Sequence, residues 1–319
     1  MTAARIDPLQ LRPLGSTGLR VTGLCVGAAP LGDMTGVFAS EPGPERAVAT
    51  VRAALAGPIR FLDTAPSYGD GTSEERVGLA LREAGGAPDD FLVATKVDPD
   101  PTTHDFSGEQ VRRSVARSQR LLGIDRLPLV YLHDPEYHDD AELMAPGGAV
   151  ETLVQLRAEG VIGAIGLAGG DLATMRRYLA LGIFSVMLTH NRFNLLNRSA
   201  SGLIDEAVRD DVAVVNAAPY GGGILSLGPD NFARFMYREA GLDTVANARA
   251  FQRLAGRHGV PLAAVALQFS LRDTRLASTV VGMGRPERVA GTVQLATMPI
   301  PGDLWAELEG LPLAETEGV

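Results

Sequence analysis

The sequence predicts an α/β protein: a (β/α)8 TIM barrel with an N-terminal β-hairpin and long loops at the C-terminal face of its strands. Three observations predict it. Short apolar runs of buried type alternate with amphipathic helical stretches along the 319 residues, and such alternation builds a parallel sheet covered by helices. Eight runs of this kind occur, the number that closes a barrel. Three of them end on, or just before, polar groups able to move protons, and a barrel collects its strand ends on one face. The rival architecture, an open doubly wound sheet, wants a GxGxxG turn after the first strand. The segment there is Gly27-Ala28-Ala29-Pro30-Leu31-Gly32, and Pro30 breaks that pattern.

Residues 9–21 read as two short strands around the turn Gly15-Ser16-Thr17-Gly18, with glycines where φ > 0 is needed. Strands follow over 23–27, 60–63, 91–96, 129–133, 161–167, 186–189, 213–217 and 278–281. Apolar spacing places helices over 45–56, 74–83, 108–122, 149–159, 172–181, 202–209, 245–257 with 261–271, and 286–296. Two connections are long: 33–44 after the first strand and 219–244 after the seventh, the latter opening Pro219-Tyr220-Gly221-Gly222-Gly223. Loops this long in a barrel tend to be lids or binding loops, and both leave strand C-termini. A single domain over residues 1–319 is expected, with no repeat beyond the βα period.

Composition excludes several partners. The formal net charge is −9, dispersed along the chain, whereas nucleic-acid binding needs basic patches against phosphates. No stretch approaches the roughly 20 apolar residues of a membrane span. The segment Met1-Thr2-Ala3-Ala4-Arg5-Ile6-Asp7-Pro8 lacks the apolar core of a signal peptide. The sole cysteine, Cys25, lies in the run Leu24-Cys25-Val26. It reads as a small core residue, a disulfide within the chain is impossible, and a cytoplasmic setting fits. Nothing in the sequence sets an oligomeric state.

The chemistry lies at three strand ends. Asp63 closes Arg60-Phe61-Leu62-Asp63 and is followed by Thr64-Ala65-Pro66-Ser67-Tyr68-Gly69; Lys96 closes Phe91-Leu92-Val93-Ala94-Thr95-Lys96; His133 closes Leu129-Val130-Tyr131-Leu132-His133. A phenol has a pKa near 10 in water and exchanges protons poorly at pH 7. A neighbouring ammonium stabilises the phenolate, and a buried carboxylate holds that ammonium in place and charged. A histidine beside the phenol can hydrogen-bond a substrate oxygen. Taken singly, Asp63 could be a capping residue, Lys96 a snorkelling one, His133 turn chemistry and Tyr68 packing. Together they move a proton on or off a carbonyl or alcohol oxygen while a hydride moves at the attached carbon. The hydride requires a cofactor, since no side chain carries one. Among His104, His133, His138, His190 and His258 there is no HxH or HExxH spacing, so no metal site is expected. There is no GxSxG for a nucleophilic serine and no Walker loop.

The chain resembles the aldo-keto reductase superfamily. The resemblance rests on the Phe61–Gly69 stretch quoted above, on Ser73-Glu74-Glu75-Arg76-Val77-Gly78, and on Ala94-Thr95-Lys96-Val97. It continues through Leu132-His133-Asp134, Ala164-Ile165-Gly166-Leu167 and Val280-Val281-Gly282-Met283-Gly284-Arg285-Pro286-Glu287-Arg288-Val289. It implies a barrel that binds a nicotinamide dinucleotide without a Rossmann domain. Asp63, Tyr68, Lys96 and His133 would be its catalytic tetrad, with Tyr68 as general acid and base. Cofactor contacts implied by the resemblance fall on Gly27, Ala28, Ala168, Gly169, His190, Ala218, Pro219, Tyr220, Gly221, Gly223, Leu225, Gly282, Met283, Gly284, Arg285, Arg288 and Thr292. Ala168-Gly169 stands where many members carry Ser-Asn, and His190 where glutamine is common. The neutral Gly284, where NADP-preferring members carry a basic residue, favours NAD over NADP; Arg285 and Arg288 could still pair with a 2′-phosphate.

Gly27-Ala28-Ala29-Pro30-Leu31-Gly32 and Asn216-Ala217-Ala218-Pro219 are similar to those of dehydrogenases for L-galactose, L-fucose and D-threo-aldoses, and of pyridoxal 4-dehydrogenases. The implied activity is oxidation of a sugar lactol at C1 to a lactone, with His138, Arg192 and Phe193 expected to line the substrate pocket. The alternative is an NADPH-dependent reductase of aldehydes or ketones, such as pyridoxal or a secondary-metabolite carbonyl. A cofactor-sensing subunit without catalysis is disfavoured by the presence of all four tetrad residues.

Overall fold

Residues 12–21 form the expected hairpin, with strands β1 (Arg12–Pro13) and β2 (Arg20–Val21) joined through Gly15 and Gly18, both at positive φ. The structure, a computed structural model, describes residues 7–34 and 42–314. Seven further strands follow: β3 (Leu24–Gly27), β4 (Phe61–Asp63), β5 (Leu92–Val97), β6 (Leu127–His133), β7 (Ile162–Gly169), β8 (Val186–His190) and β9 (Ala213–Ala217). A small pair, β10 (Arg234–Phe235) and β11 (Arg238–Glu239), precedes β12 (Leu276–Gly282). Strands β3 to β9 pair in sequence, and β12 closes the ring between β9 and β3, every pairing parallel.

The strands close because they are apolar on both faces, and the period of two sends alternate residues to different layers. Cys25, Phe61, Leu92, Ala94, Leu129, Tyr131, Leu188 and Val215 pack inside the barrel. Their neighbours Leu24, Val26, Leu62, Val93, Val130 and Leu132 pack outward under the helices. The hairpin caps one end of the barrel: Leu14 and Val21 are fully buried in the interior cluster, and a Cβ at Gly15 would stand 3.1 Å from that of Ala213.

The outer layer consists of α1 (Gly43–Ala56), α2 (Thr72–Glu83), α3 (Gly108–Leu122), the single turn α4 (Asp140–Leu143), α5 (Ala149–Ala158), α6 (Leu172–Leu179) and α7 (Ser201–Arg209). It continues with the short α8 (Ile224–Leu227), then α9 (Leu242–Arg257), α10 (Leu262–Leu271), α11 (Pro286–Thr297) and α12 (Gly302–Glu309). Their starts and stops are chemical: the Ser107 hydroxyl caps α3 by accepting from Gln110 N, the Asp171 carboxylate caps α6 through Thr174 N, and Gly123 ends α3 at φ +71°. No described helix is long and apolar enough to cross a membrane.

The long connection 219–244 is ordered by its own backbone bonds, a 3-10 turn at Gly221–Gly223, then α8, then the β10–β11 pair folded back so that Met236 N donates to Gly221 O. Alternating polar and apolar residues too short to register as strands hid that pair from the sequence. Of the other long connection, 33–44, residues 35–41 lie outside the described residues.

Candidate active site

The C-terminal ends of β4, β5 and β6 deliver Asp63, Lys96 and His133 to one mouth of the barrel. Backbone bonds sew these ends together, Ala28 N donating to Asp63 O and Thr64 N to Ala94 O. Lys96 Nζ donates to Asp63 Oδ1 at 2.7 Å and to Thr64 O at 2.8 Å. Tyr68 reaches the same place from the turn after β4, its ring centre 4.8 Å from Lys96 Nζ. Two glycines make that turn possible. Gly69, at φ +66°, would drive a Cβ to 2.0 Å from Gly32 O, and a Cβ at Gly32 would stand 2.6 Å from the Tyr68 carbonyl carbon. Only bare backbone at both positions lets the segment after β3 pack directly against Tyr68.

The charges in this group are set by burial and by one another. Burial works to lower the Lys96 ammonium, but Asp63 and Tyr68 outweigh it and hold it above its usual range. Burial raises the Tyr68 phenol above its ordinary value; Lys96 acts against this, and Asp63 adds to it. Lys96 acts on the phenol in the expected direction, but desolvation outweighs it and the net shift is upward.

His133 stands edge-on to Tyr68, ring centres 6.1 Å apart at 83°. Its Nδ1 lies 2.6 Å from Asp98 Oδ1, and its Nε2 lies 3.7 Å from Asp134 Oδ2. Burial would lower the imidazolium, but the two carboxylates overcome it and raise it. Asp98 shifts the other way: burial raises it, while His133 and Ser67 hold it below the usual carboxylate range. Asp134, against burial, is held at about 2 by His133 and His190. Asp98 was not anticipated from the sequence. The available signal was its spacing of two from Lys96, which puts both on the same face of an extended chain. Asp134, Glu136 and His190 bring potential metal-ligand atoms within 4.8 Å of one another. Glu136 Oε1 is already used there, accepting from Gly170 N and Asp171 N.

Two cavities adjoin this centre, and a third lies along α11. One of about 440 Å³ lies against His133 and includes Ser67, Asp98, Arg113, Tyr137 and His138 in its wall. A second, of about 430 Å³, is lined by Glu136, Gly170, His190, Asn191, Arg192 and Tyr237. Arg192 Nε donates to Gly170 O there. A third, of about 560 Å³, lies beside the first turn of α11 and is lined by Arg46, Arg285, Glu287, Arg288, Gly291 and Gln294. Arg46 pairs with Glu287 at 3.4 Å, which leaves Arg285 and Arg288, beside the start of α11, to suit a phosphate-bearing group. Arg288 also stands 5.6 Å from the Tyr220 ring centre, and the buried Tyr220 hydroxyl has no hydrogen-bond partner in the protein. Asn191 Oδ1 is likewise buried without one. These arginines and unspent polar atoms fit a nicotinamide dinucleotide.

Among the residues expected to touch cofactor, Gly27, Gly169, His190, Ala218, Pro219, Gly221, Gly223, Gly282 and Gly284 lie at or just beyond the ends of β3, β7, β8, β9 and β12. Ala28, Ala168, Leu225, Met283 and Thr292 have side chains with essentially no exposed surface. Phe193 is a correction. Its ring packs 5.4 Å from that of Phe269, with the Arg275 guanidinium 5.5 Å away, in the layer between barrel and helices. It is a packing residue, not a pocket wall. His138 does line the cavity beside His133, edge-on to Phe106.

The comparisons agree with this geometry. The Aldo/keto reductase family pattern matches residues 23–312. D-threo-aldose 1-dehydrogenase from a Pseudomonas species is 31% identical over 94% of this chain and 97% of its own. L-galactose dehydrogenase from Arabidopsis thaliana is 29% identical, over 95% of this chain and 94% of its own. An aldo-keto reductase from Bacillus halodurans has the same fold, with a TM-score of 0.76 at 24% identity, covering 97% of this chain and 98% of that one.

Proposed function

Since the chain belongs to the aldo/keto reductase family and is an oxidoreductase, we propose that it is a single catalytic unit that oxidises a sugar lactol at C1 to the lactone, with NAD or NADP. The observation that carries the reading is the buried Lys96–Asp63 pair beside Tyr68, with His133 edge-on to the same phenol. A bound nicotinamide supplies the acceptor for the hydride. Tyr68, once its own phenolic proton has passed to solvent, takes the hydroxyl proton at that oxygen. Lys96, held charged by Asp63, stabilises the phenolate that must form for that step. His133 holds the oxygen in register through Nε2. The arginine-lined cavity supports the phosphates, with Arg288 and Arg285 able to hold a 2′-phosphate and Gly284 leaving room for cofactors that lack one. The substrate class rests on the likeness to the two sugar dehydrogenases.

One observation favours the reverse reaction as a second reading. A phenol held protonated by burial is ready to give its proton to a carbonyl oxygen. Initial rates with a panel of aldoses and oxidised cofactor, set against rates with aldehydes such as pyridoxal and reduced cofactor, separate the two. Lactone formation from one sugar configuration supports the first; turnover of aldehydes alone overturns it.

A further inference from the structure

Asp98 has no part in the steps above, yet it is held from several sides. It is 6% exposed. Oδ1 meets His133 Nδ1 at 2.6 Å, and Oδ2 accepts the Ser67 backbone N–H at 2.8 Å. Its own carbonyl accepts from Gln110 Nε2, and its N–H approaches the Ser114 hydroxyl. Both α3 and the Tyr68 turn therefore hold it, and it cannot swing away from the ring.

An ionised carboxylate can only accept a hydrogen bond, so Nδ1 must carry hydrogen whenever Asp98 is charged. A neutral ring in that form has a bare lone pair at Nε2 and cannot donate to a substrate oxygen. Only the imidazolium can. We infer that Asp98 is a positioning residue that fixes the His133 tautomer and keeps the ring cationic, so that Nε2–H stabilises the negative charge on the substrate oxygen once Tyr68 has taken its proton. This rests on the oxidoreductase reading above. A fixed cationic donor aimed at a developing oxyanion contributes more in a desolvated site than a neutral one.

The groups around the ring agree with a cation. Asp98 follows β5 and Asp134 follows β6; both favour the charged form, and Lys96 opposes it. His190, at the end of β8, lies beyond Asp134, 3.5 Å from its Oδ1. Tyr68 is neutral as folded. Arg113 and Arg117 of α3 are spent on Asp105, Glu109 and Asp70.

The test is a 15N NMR titration of the ring nitrogens in the full chain, with His133 identified among the five histidines by signal loss in His133→Asn. Wild type should keep Nδ1 protonated throughout, titrating above the ordinary value of about 6.5. In Asp98→Asn the titration should fall by about 1 to 3 pH units, the usual effect of one adjacent opposite charge. The alkaline limb of kcat/KM for oxidation should fall with it, and Asp98→Glu should restore part of both. An unmoved titration in Asp98→Asn overturns the inference. So does a neutral wild-type ring carrying its proton on Nε2, which decides the matter even where the variant does not fold. Absence of turnover in wild type would instead overturn the oxidoreductase reading while leaving the titration result intact.

Discussion

Lys96 Nζ lies 2.7 Å from Asp63 Oδ1, with 1% and 4% of the two side chains exposed. Two opposite charges taken this far out of water depend on each other, because removing one leaves the other without compensation. Asp63→Asn strands the ammonium and is expected to cost about 3–5 kcal/mol of stability. The melting temperature, followed by circular dichroism at pH 7, should fall by about 1.5 °C for each kcal/mol in a chain of 319 residues. A melting temperature equal to wild type would show that solvent reaches the pair.

Glu74 of α2 is also fully buried, one oxygen accepting from the Thr95 hydroxyl at 2.6 Å. Burial raises its carboxyl above the usual value. An acid whose folded value is raised contributes stability that is present below its unfolded value and lost as pH rises through the folded one. At pH 7 the charged form is therefore a liability. Glu74→Gln keeps the acceptor for Thr95 and removes the charge, so it should melt higher than wild type at pH 7, the difference shrinking as pH falls toward about 4. A variant that melts lower at pH 7 contradicts this.

The arginine cavity gives a prediction about cofactor choice. A hydrogen bond to a charged group contributes about 1.5–3 kcal/mol, so Arg288→Ala should weaken NADP binding by roughly tenfold or more. NAD, which lacks the 2′-phosphate, should bind the variant within about threefold of wild type. Equal losses for both, in direct binding titrations, would place Arg288 away from the 2′-phosphate.

The barrel was legible because a parallel strand buried on both faces must be written as an unbroken apolar run. Each of the eight runs became a strand, with ends displaced by at most two residues. Asp63, Lys96 and His133 stood out as a set: each alone has an ordinary structural reason to end a run, but three strand ends that a barrel gathers on one face do not share one. What escaped notice was decided by contacts between distant segments. Asp98 acquires its role from a histidine 35 positions away, and the pairing of those two side chains leaves no periodic trace. Phe193 sits beside two residues at the rim, Asn191 and Arg192, yet its ring turns outward to Phe269. Sequence proximity to the mouth does not report which way a side chain in a turn will face. The Tyr68 phenol shows the same limit for electrostatics. Lys96 could be placed beside it from the sequence, but the depth of burial that outweighs Lys96 could not.

The most direct test is the initial rate of NADH or NADPH formation with a reactive aldose, wild type beside Tyr68→Phe. The variant removes one oxygen and leaves Lys96, Asp63 and His133 in place. The account predicts a loss of roughly 10²–10⁴-fold in kcat, the usual contribution of a positioned acid–base group, with the dissociation constant for dinucleotide unchanged. Turnover in Tyr68→Phe equal to wild type would contradict the assignment of Tyr68 as the proton carrier, and with it the proposed mechanism.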